Sequence, residues 1–540
     1  MKFQFKWFGV KKDNIKKLKL IDFDKKDLSW KETFSRPIIK AFIINMVVFL
    51  VLNAIAYARF ESDADIMMSL LLSGVTGAGY TSHLGFSNSL LFKIIAPLSS
   101  LVKCINWYTW LIVLSAFVAV VVLNKLFLDN HTEKNHLVLI VAFNIFIGYE
   151  CYMFPSYIKS AIIGSFTVAI SLKHMLDYSS GNIRKYVILA IGFLGYGFLS
   201  LRGTLYGFVG ALVCVAIGLL LQEKKNIKRL LIWTGIVLIS FGCLCGLRKA
   251  DEALYAKESI EGKLTAEYID DIEKLLVFGY PDYSNELGEK TGISADQYRR
   301  TFSSSNCFLV EERTIDSLSW IKEVSSERIM FKGETLLRFF RTVPIAQINV
   351  GYLYLFLVAL LAFLASGYKN KRLVAYLTVG YCFVAYAIAY FNYAWDNRVT
   401  QLIVFLPVVY LLYTGMQSLK VVEHKELVAY LIVFGVVLYN RFGSQMVTTV
   451  TGGELAETVE EFYSDNNHYI AFNLNGYVRP YSPYKRFGED LLDEKRLLVL
   501  NGYYMLFPEF NEKQYFAHSI GELWYDGETP IYIPDFYVVE

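Results

Sequence analysis

The stretch IIKAFIINMVVFLVLNAIAYARFESDAD, residues 38–65, decides how this chain is read. From Ile38 to Ala58 it carries a single charge, Lys40, and about twenty apolar residues in an α-helix suffice to cross the hydrocarbon core of a bilayer. Three carboxylates follow within a few residues, Glu61, Asp63 and Asp65. An apolar run of that length, followed at once by clustered acids, reads as a membrane span emerging into water with ionisable chemistry at its edge.

Similar runs recur near 104–127, 136–153, 157–175, 185–201, 204–221, 229–247, 346–366, 373–391, 399–417 and 425–442. Mean hydropathy is +0.37 and 54% of the residues are hydrophobic. The expected fold is therefore a polytopic α-helical membrane protein with about eleven transmembrane helices. Lysines crowd the first 37 residues, which the positive-inside rule places in the cytoplasm. Alternate loops then agree: Arg184-Lys185, Lys224 to Arg229, Lys369 to Arg372, and Lys420 with Lys425 all fall on the inside.

That count divides the chain into a cytoplasmic basic segment 1–37 and a transmembrane core 38–247 with a first outer loop at 59–103. An extracytoplasmic insert at 248–345, a second set of spans at 346–442 and an extracytoplasmic α/β region at 443–540 follow. Stretches 66–72 and 90–101 are apolar but too short to span, and read as helices lying in the interface. The tail shows strand-like runs at 468–474 and 496–505, a helical stretch at 485–496, and an extended end from Thr529 to Val539. Fifty-three basic and 50 acidic residues give a net charge of +3, segregated by loop, which disfavours nucleic acid as a partner. The seven cysteines lack metal-type spacing. A removable signal peptide is not expected, because the N-terminus is long and lysine-rich.

Clustered carboxylates raise one another's pKa or hold a divalent cation, and either property suits a general base for an acceptor hydroxyl. Asp63 and Asp65 are the candidate catalytic acids, with Glu61 beside them in substrate binding. His83 follows the glycine-rich Ser73-Gly-Val-Thr-Gly-Ala-Gly79; it reads as a surface residue, or as one that reaches a phosphate or shares a cation such as Mg or Mn with the two aspartates. Glu150, at the outer end of the third span, lines a polar cavity or pairs with Lys159. Arg202 and Arg398, the latter after Trp395-Asp396-Asn397, clamp a lipid phosphate or snorkel at span ends; Asp396 belongs to the same candidate binding set. Asn106-Trp-Tyr108 reads first as an interfacial aromatic belt. Tyr477, Tyr481, Tyr484, Tyr503, Tyr504 and Trp524 offer sugar-stacking platforms, but read mainly as core of the tail.

The arrangement of a cytoplasmic N-terminus, an acid-bearing first outer loop with two interfacial helices, many further spans and a soluble C-terminal region resembles the GT-C superfamily of integral membrane glycosyltransferases. Asp63-Ala-Asp-Ile-Met-Met, Ser73-Gly-Val-Thr-Gly, His83 and Asn106-Trp-Tyr carry the likeness over about 50 positions. Alanine separates the acids here, where the relatives have them adjacent. The resemblance implies sugar transfer from a polyprenyl-phosphate carrier to an envelope glycan, teichoic acid or protein acceptor, with inversion and Asp63 as the first choice of base. The rival readings are a polysaccharide polymerase or ligase, which would depend on Arg299, Arg300 and Arg313, a lipid-linked sugar flippase or transporter, and an assembly scaffold.

Overall fold

Helix α1 (Pro37–Ile55) starts on a proline, which is pre-set for the first helical turn and lacks an N–H to satisfy there. Only Ala41, Asn45, Val48 and Leu52 are buried, at intervals of four, three and four residues that trace one stripe. The opposite face exposes Phe42, Val47, Leu50, Val51 and Ile55. Apolar residues outward and an asparagine inward invert the pattern of a water-soluble helix. In the computed structural model this chain is a helical membrane protein.

The structure describes residues 36–73, 82–85, 87–129, 134–178, 183–221, 227–258, 282–292, 294–295, 298, 321, 352–368, 370–391, 397–418, 425, 427–439, 469–472, 482–485, 497–499 and 531–532. After α1 come α2 (Asp63–Ser73), α3 (Ser89–Leu101), α4 (Trp107–Leu128), α5 (Lys134–Gly148), α6 (Tyr157–Tyr178), α7 (Ile183–Leu199) and α8 (Leu201–Leu221). There follow α9 (Ile227–Glu258), α10 (Asn285–Thr291), α11 (Tyr352–Ala365), α12 (Lys371–Phe391), α13 (Asn397–Ser418) and α14 (Leu427–Tyr439). Each hydropathy window falls on a helix. Among the described residues, five are long and apolar enough to cross a membrane: Pro37–Ile55, Trp107–Leu128, His136–Met153, Leu231–Leu254 and Lys371–Ala389.

Helix α6 is the axis of the bundle, packed against α4, α7, α8 and α13. Its closest neighbour is α8, because α8 presents Gly203 and Gly207 one turn apart. A Cβ on Gly203 would stand 2.9 Å from the Ile158 carbonyl oxygen, and one on Gly207 would stand 2.1 Å from Ser165 Oγ. Small residues spaced by four let two backbones approach, which is how helices associate where lipid removes the hydrophobic drive. Polar side chains tie α6 and α7 to α4: Ser160 Oγ of α6 donates to the Ile112 carbonyl at 3.0 Å, and Tyr196 of α7 to that of Ser115 at 3.0 Å.

Two features depart from the hydropathy reading. Helix α2 does not lie in an interface, since every residue from Asp65 to Ser73 is buried; a short helix that is apolar nearly all round is a core helix. Helix α3 does expose one apolar stripe, Leu90, Ile94 and Leu101, with Phe92 buried on the other side. Helix α9 continues to Glu258, eleven residues past the expected span end at 247. Apolarity stops there, but Arg248 and Glu252 pair at 2.8 Å across one turn and carry the helix on.

Three short parallel strands, β1 (Tyr469–Phe472), β2 (Leu497–Val499) and β3 (Ile531–Tyr532), form a sheet in the order β2-β1-β3. They coincide with the strand-like runs of the tail. Residues 1–35, most of the insert at 259–345 and most of 485–496 lie outside the described residues.

Candidate functional site

One end of the bundle, called here the loop face, gathers the residues that follow α1 and α5 and those that begin α6 and α11. Helix α5 ends in a π turn, Tyr149–Met153, all of it buried. Such wide turns often occur at functional positions, and the last carbonyls of any helix lack partners within it. Here three of them accept from distant segments. The Glu150 carbonyl takes Lys159 Nζ at 3.3 Å, that of Tyr152 takes the Tyr484 hydroxyl at 2.7 Å, and that of Met153 takes the Arg59 N–H at 2.8 Å.

Lys159, 1% exposed, is the hub of the charges. Its ammonium pairs with Glu150 Oε2 at 2.9 Å and with Glu61 Oε2, and lies 5.4 Å from the centre of the Phe154 ring. Glu150 Oε1 accepts the Tyr352 hydroxyl at 2.8 Å, which ties α11 to the same cluster. The ion pair between Glu150 and Lys159 that the sequence offered as one of two readings is present, and Glu61 joins it. Removing either partner from a buried pair leaves a charge in a medium that solvates it poorly. Arg59 is buried beside them; burial pushes its guanidinium below the ordinary value, with neighbouring Tyr149 opposing.

Asp65 is fully buried and has a different role. Ser62 precedes α2, and its Oγ accepts the Asp65 N–H at 3.1 Å while donating to Asp65 Oδ2 at 2.5 Å, a variant of the capping box. Asp65 Oδ1 accepts the Tyr108 hydroxyl at 2.7 Å and the N–H of Tyr157, first residue of α6, at 3.0 Å. One carboxylate thus sits at two helix N-termini, where the helix dipoles favour negative charge. Tyr108 is consequently buried in the protein and not part of an interfacial belt. Asp63 is the first residue of α2.

The second half of the first loop docks elsewhere. Ser87 Oγ donates to the Leu199 carbonyl at 2.7 Å, and Asn88 N–H to that of Phe198 at 3.0 Å, both at the end of α7 just before Arg202. Arg248 Nη2 reaches the Gly85 carbonyl at 3.1 Å, and Asp251 accepts the Ser89 N–H at 2.9 Å together with its hydroxyl. His83 is half-buried in this segment, and Arg202 is half-buried in the first turn of α8. The structure therefore brings Glu61 and Glu150 together on Lys159, keeps Asp65 close by as a structural group, and sets His83 and Arg202 with the other half of the loop. Arg398 lies in the first turn of α13; Asp396 and the side chains of Asp63 and Arg398 lie outside the described residues.

Among the described residues, no three His, Cys, Asp or Glu side chains gather in a group able to hold a metal. The set Asp63, Asp65 and His83 does not fit a divalent cation well, because both Asp65 oxygens are taken by protein donors. Sequence reasoning passed over Arg59, Ser62, Tyr352 and Asp251. Only Ser62 left a local mark, the Ser-x-x-acid spacing ahead of an apolar run; the others are set by contacts distant in sequence.

Fold and site together define a helical membrane protein with a buried ionic cluster at one end of its bundle. No family model, curated protein or solved structure matches the chain.

Proposed function

We propose that this chain is a membrane glycosyltransferase that moves a sugar from a polyprenyl-phosphate carrier to an envelope glycan, teichoic acid or protein acceptor on the outer face of the plasma membrane. In this reading the chain crosses the membrane about eleven times, with its N-terminus inside and the loop face outside. The parallel strands of the tail form the core of a small extracytoplasmic α/β domain, since parallel neighbours need long crossover connections.

The observation that carries the reading is where the ionisable groups sit. Glu61, Asp65, Glu150, Lys159 and Arg59 gather at the loop face, while the buried His136 and Lys173 lie toward the other ends of α5 and α6. Deeper in the bundle the buried polar groups include amides that satisfy one another: Asn124 and Asn144 exchange hydrogen bonds at 2.7 and 3.0 Å, and Asn45 bridges Phe117 and Tyr152. A transporter would need its charges along the path through the bilayer, whereas surface chemistry needs them at one end.

Asp65 is committed to two helix N-termini, so Asp63 is assigned as the base. The acceptor hydroxyl attacks the anomeric carbon, its proton passes to Asp63, and the bond from that carbon to the carrier phosphate breaks with its electron pair leaving on phosphate oxygen. Arg202 or Arg398 neutralises the departing phosphate. No step passes through a metal.

Purified protein in nanodiscs, supplied with radiolabelled undecaprenyl-phosphate sugars, tests this. Asp63→Asn is expected to lower transfer by about a hundredfold or more at unchanged thermal stability. Undiminished transfer by that variant would remove Asp63 from the mechanism.

A further inference from the structure

Residues 482–485 belong to the connection between β1 and β2, yet they are seated on the loop face of the bundle. The Tyr484 ring stands 5.3 Å from that of Trp110 and 6.2 Å from that of Phe49, centroid to centroid, on α4 and α1. Its hydroxyl donates to the Tyr152 carbonyl in the π turn. Buried Pro483 offers its carbonyl to Asn106 Nδ2 at 2.8 Å, and Ile105 and Lys485 form an antiparallel bridge. The aromatic that sequence reading assigned mainly to the core of the tail is instead packed into the bundle.

Asn106 is the second half of the connection. Its Nδ2 also reaches Ser69 Oγ of α2 at 2.8 Å, and its Oδ1 caps α4 by accepting the Thr109 N–H at 3.3 Å. One short piece of the C-terminal region therefore holds both parts of the candidate site, the π turn through Tyr484 and the helix that begins at Asp63 through Asn106. These contacts join residues 332 and 377 positions apart. Nothing local to either segment would produce them.

We infer that Tyr484 and Asn106 are positioning residues, forming a clasp by which the C-terminal region fixes the π turn and the first-loop helix in register. The clasp extends the proposed transfer reaction by giving the C-terminal region control over site geometry, but its physical basis stands apart from that chemistry.

A native cysteine reports on it. Cys151 is buried in the π turn, next in the chain to Tyr152, whose carbonyl the Tyr484 hydroxyl holds. Cys104 is exposed beside the bridge, and Cys214 is buried in α8. Maleimide labelling of the full-length protein in nanodiscs, resolved by residue with mass spectrometry, gives three rates at once. In the unaltered protein Cys104 should label fast, and Cys151 and Cys214 slowly.

Tyr484→Phe deletes the hydroxyl that holds the Tyr152 carbonyl and keeps the ring, and should speed Cys151 labelling about fivefold with Cys214 unchanged. Tyr484→Ala also removes the ring contacts, and should raise the Cys151 rate by about a hundredfold or more. Cys151 labelling at the unaltered rate in Tyr484→Phe would overturn the clasp. So would equal acceleration of Cys151 and Cys214 in that variant, which would make Tyr484 a support of the whole fold. Where transfer is detected, kcat should fall in Tyr484→Phe with the donor KM unchanged. A protein that transfers nothing still yields the labelling ratio, so failure of the clasp and failure of the transferase reading are seen separately.

Discussion

At the scale of single residues, the two aspartates of the first loop differ in what surrounds them. Asp65 accepts from a hydroxyl before its own helix, from a tyrosine on α4 and from the first N–H of α6, so its charge is distributed over three elements. Asn at this position keeps the size but removes the charge that both helix N-termini favour, and sets an amide N–H₂ where an acceptor is needed. Asp65→Asn should therefore cost about 1–3 kcal/mol of stability, read as a lower melting temperature in detergent. Combining it with Tyr108→Phe should cost less than the sum of the two single changes, because the partners share one bond. Melting indistinguishable from the unaltered protein would show that the carboxylate holds nothing together.

At the scale of elements, the contact between α6 and α8 decides where the loop face lies, since α6 begins at Tyr157 on Asp65 and α8 begins beside Arg202. Gly207 permits it: an added Cβ would meet Ser165 Oγ at 2.1 Å, Ser165 Cβ at 2.4 Å and its backbone carbon at 2.7 Å. Gly207→Ala must push the helices apart and should destabilise by about 1–3 kcal/mol. Gly235 on α9 has open space around its Cβ direction, and Gly235→Ala should be neutral or stabilising by up to about 1 kcal/mol. Thermal unfolding of the two variants side by side tests this, and equal effects would argue against close backbone contact. Helix positions were legible in the sequence because a span needs only a long apolar run, a property of consecutive residues. The burial of α2 was not, because its apolar run fits an interface or a core equally and neighbours such as Tyr108 and Phe92 decide. Glu150 was legible as costly at its depth, and Lys159 as a possible partner nine residues on; Tyr352, two hundred residues away, left no local trace. Tyr484 was visible only as an aromatic, and its place against Phe49 and Trp110 depends on how the chain returns from the tail.

At the scale of the whole molecule, charge and shape together make the two ends of the bundle unlike. The loop face holds the buried ionic cluster, the clasp and the exposed apolar stripe of α3. The opposite end carries the turn from α11 to α12, where Asn370 adopts a left-handed φ of 63° and Lys371 Nζ caps the Ser366 carbonyl at 2.8 Å. Basic residues near such a turn favour the cytoplasmic side, as do the lysines before α1. If the loop face is outside, a maleimide that cannot cross membranes should label Cys104 in intact cells, since that thiol is exposed. Gly367→Cys, in a background with the native cysteines replaced by Ser, places an exposed thiol in the opposite turn with free space around its Cβ. It should label only after the cells are permeabilised. Labelling of both positions before permeabilisation would break the alternation of sides on which the proposed reaction depends, and labelling of Gly367→Cys alone would turn the chain over and move the ionic cluster to the cytoplasmic leaflet, where a carrier-linked sugar on the outer face could not reach it.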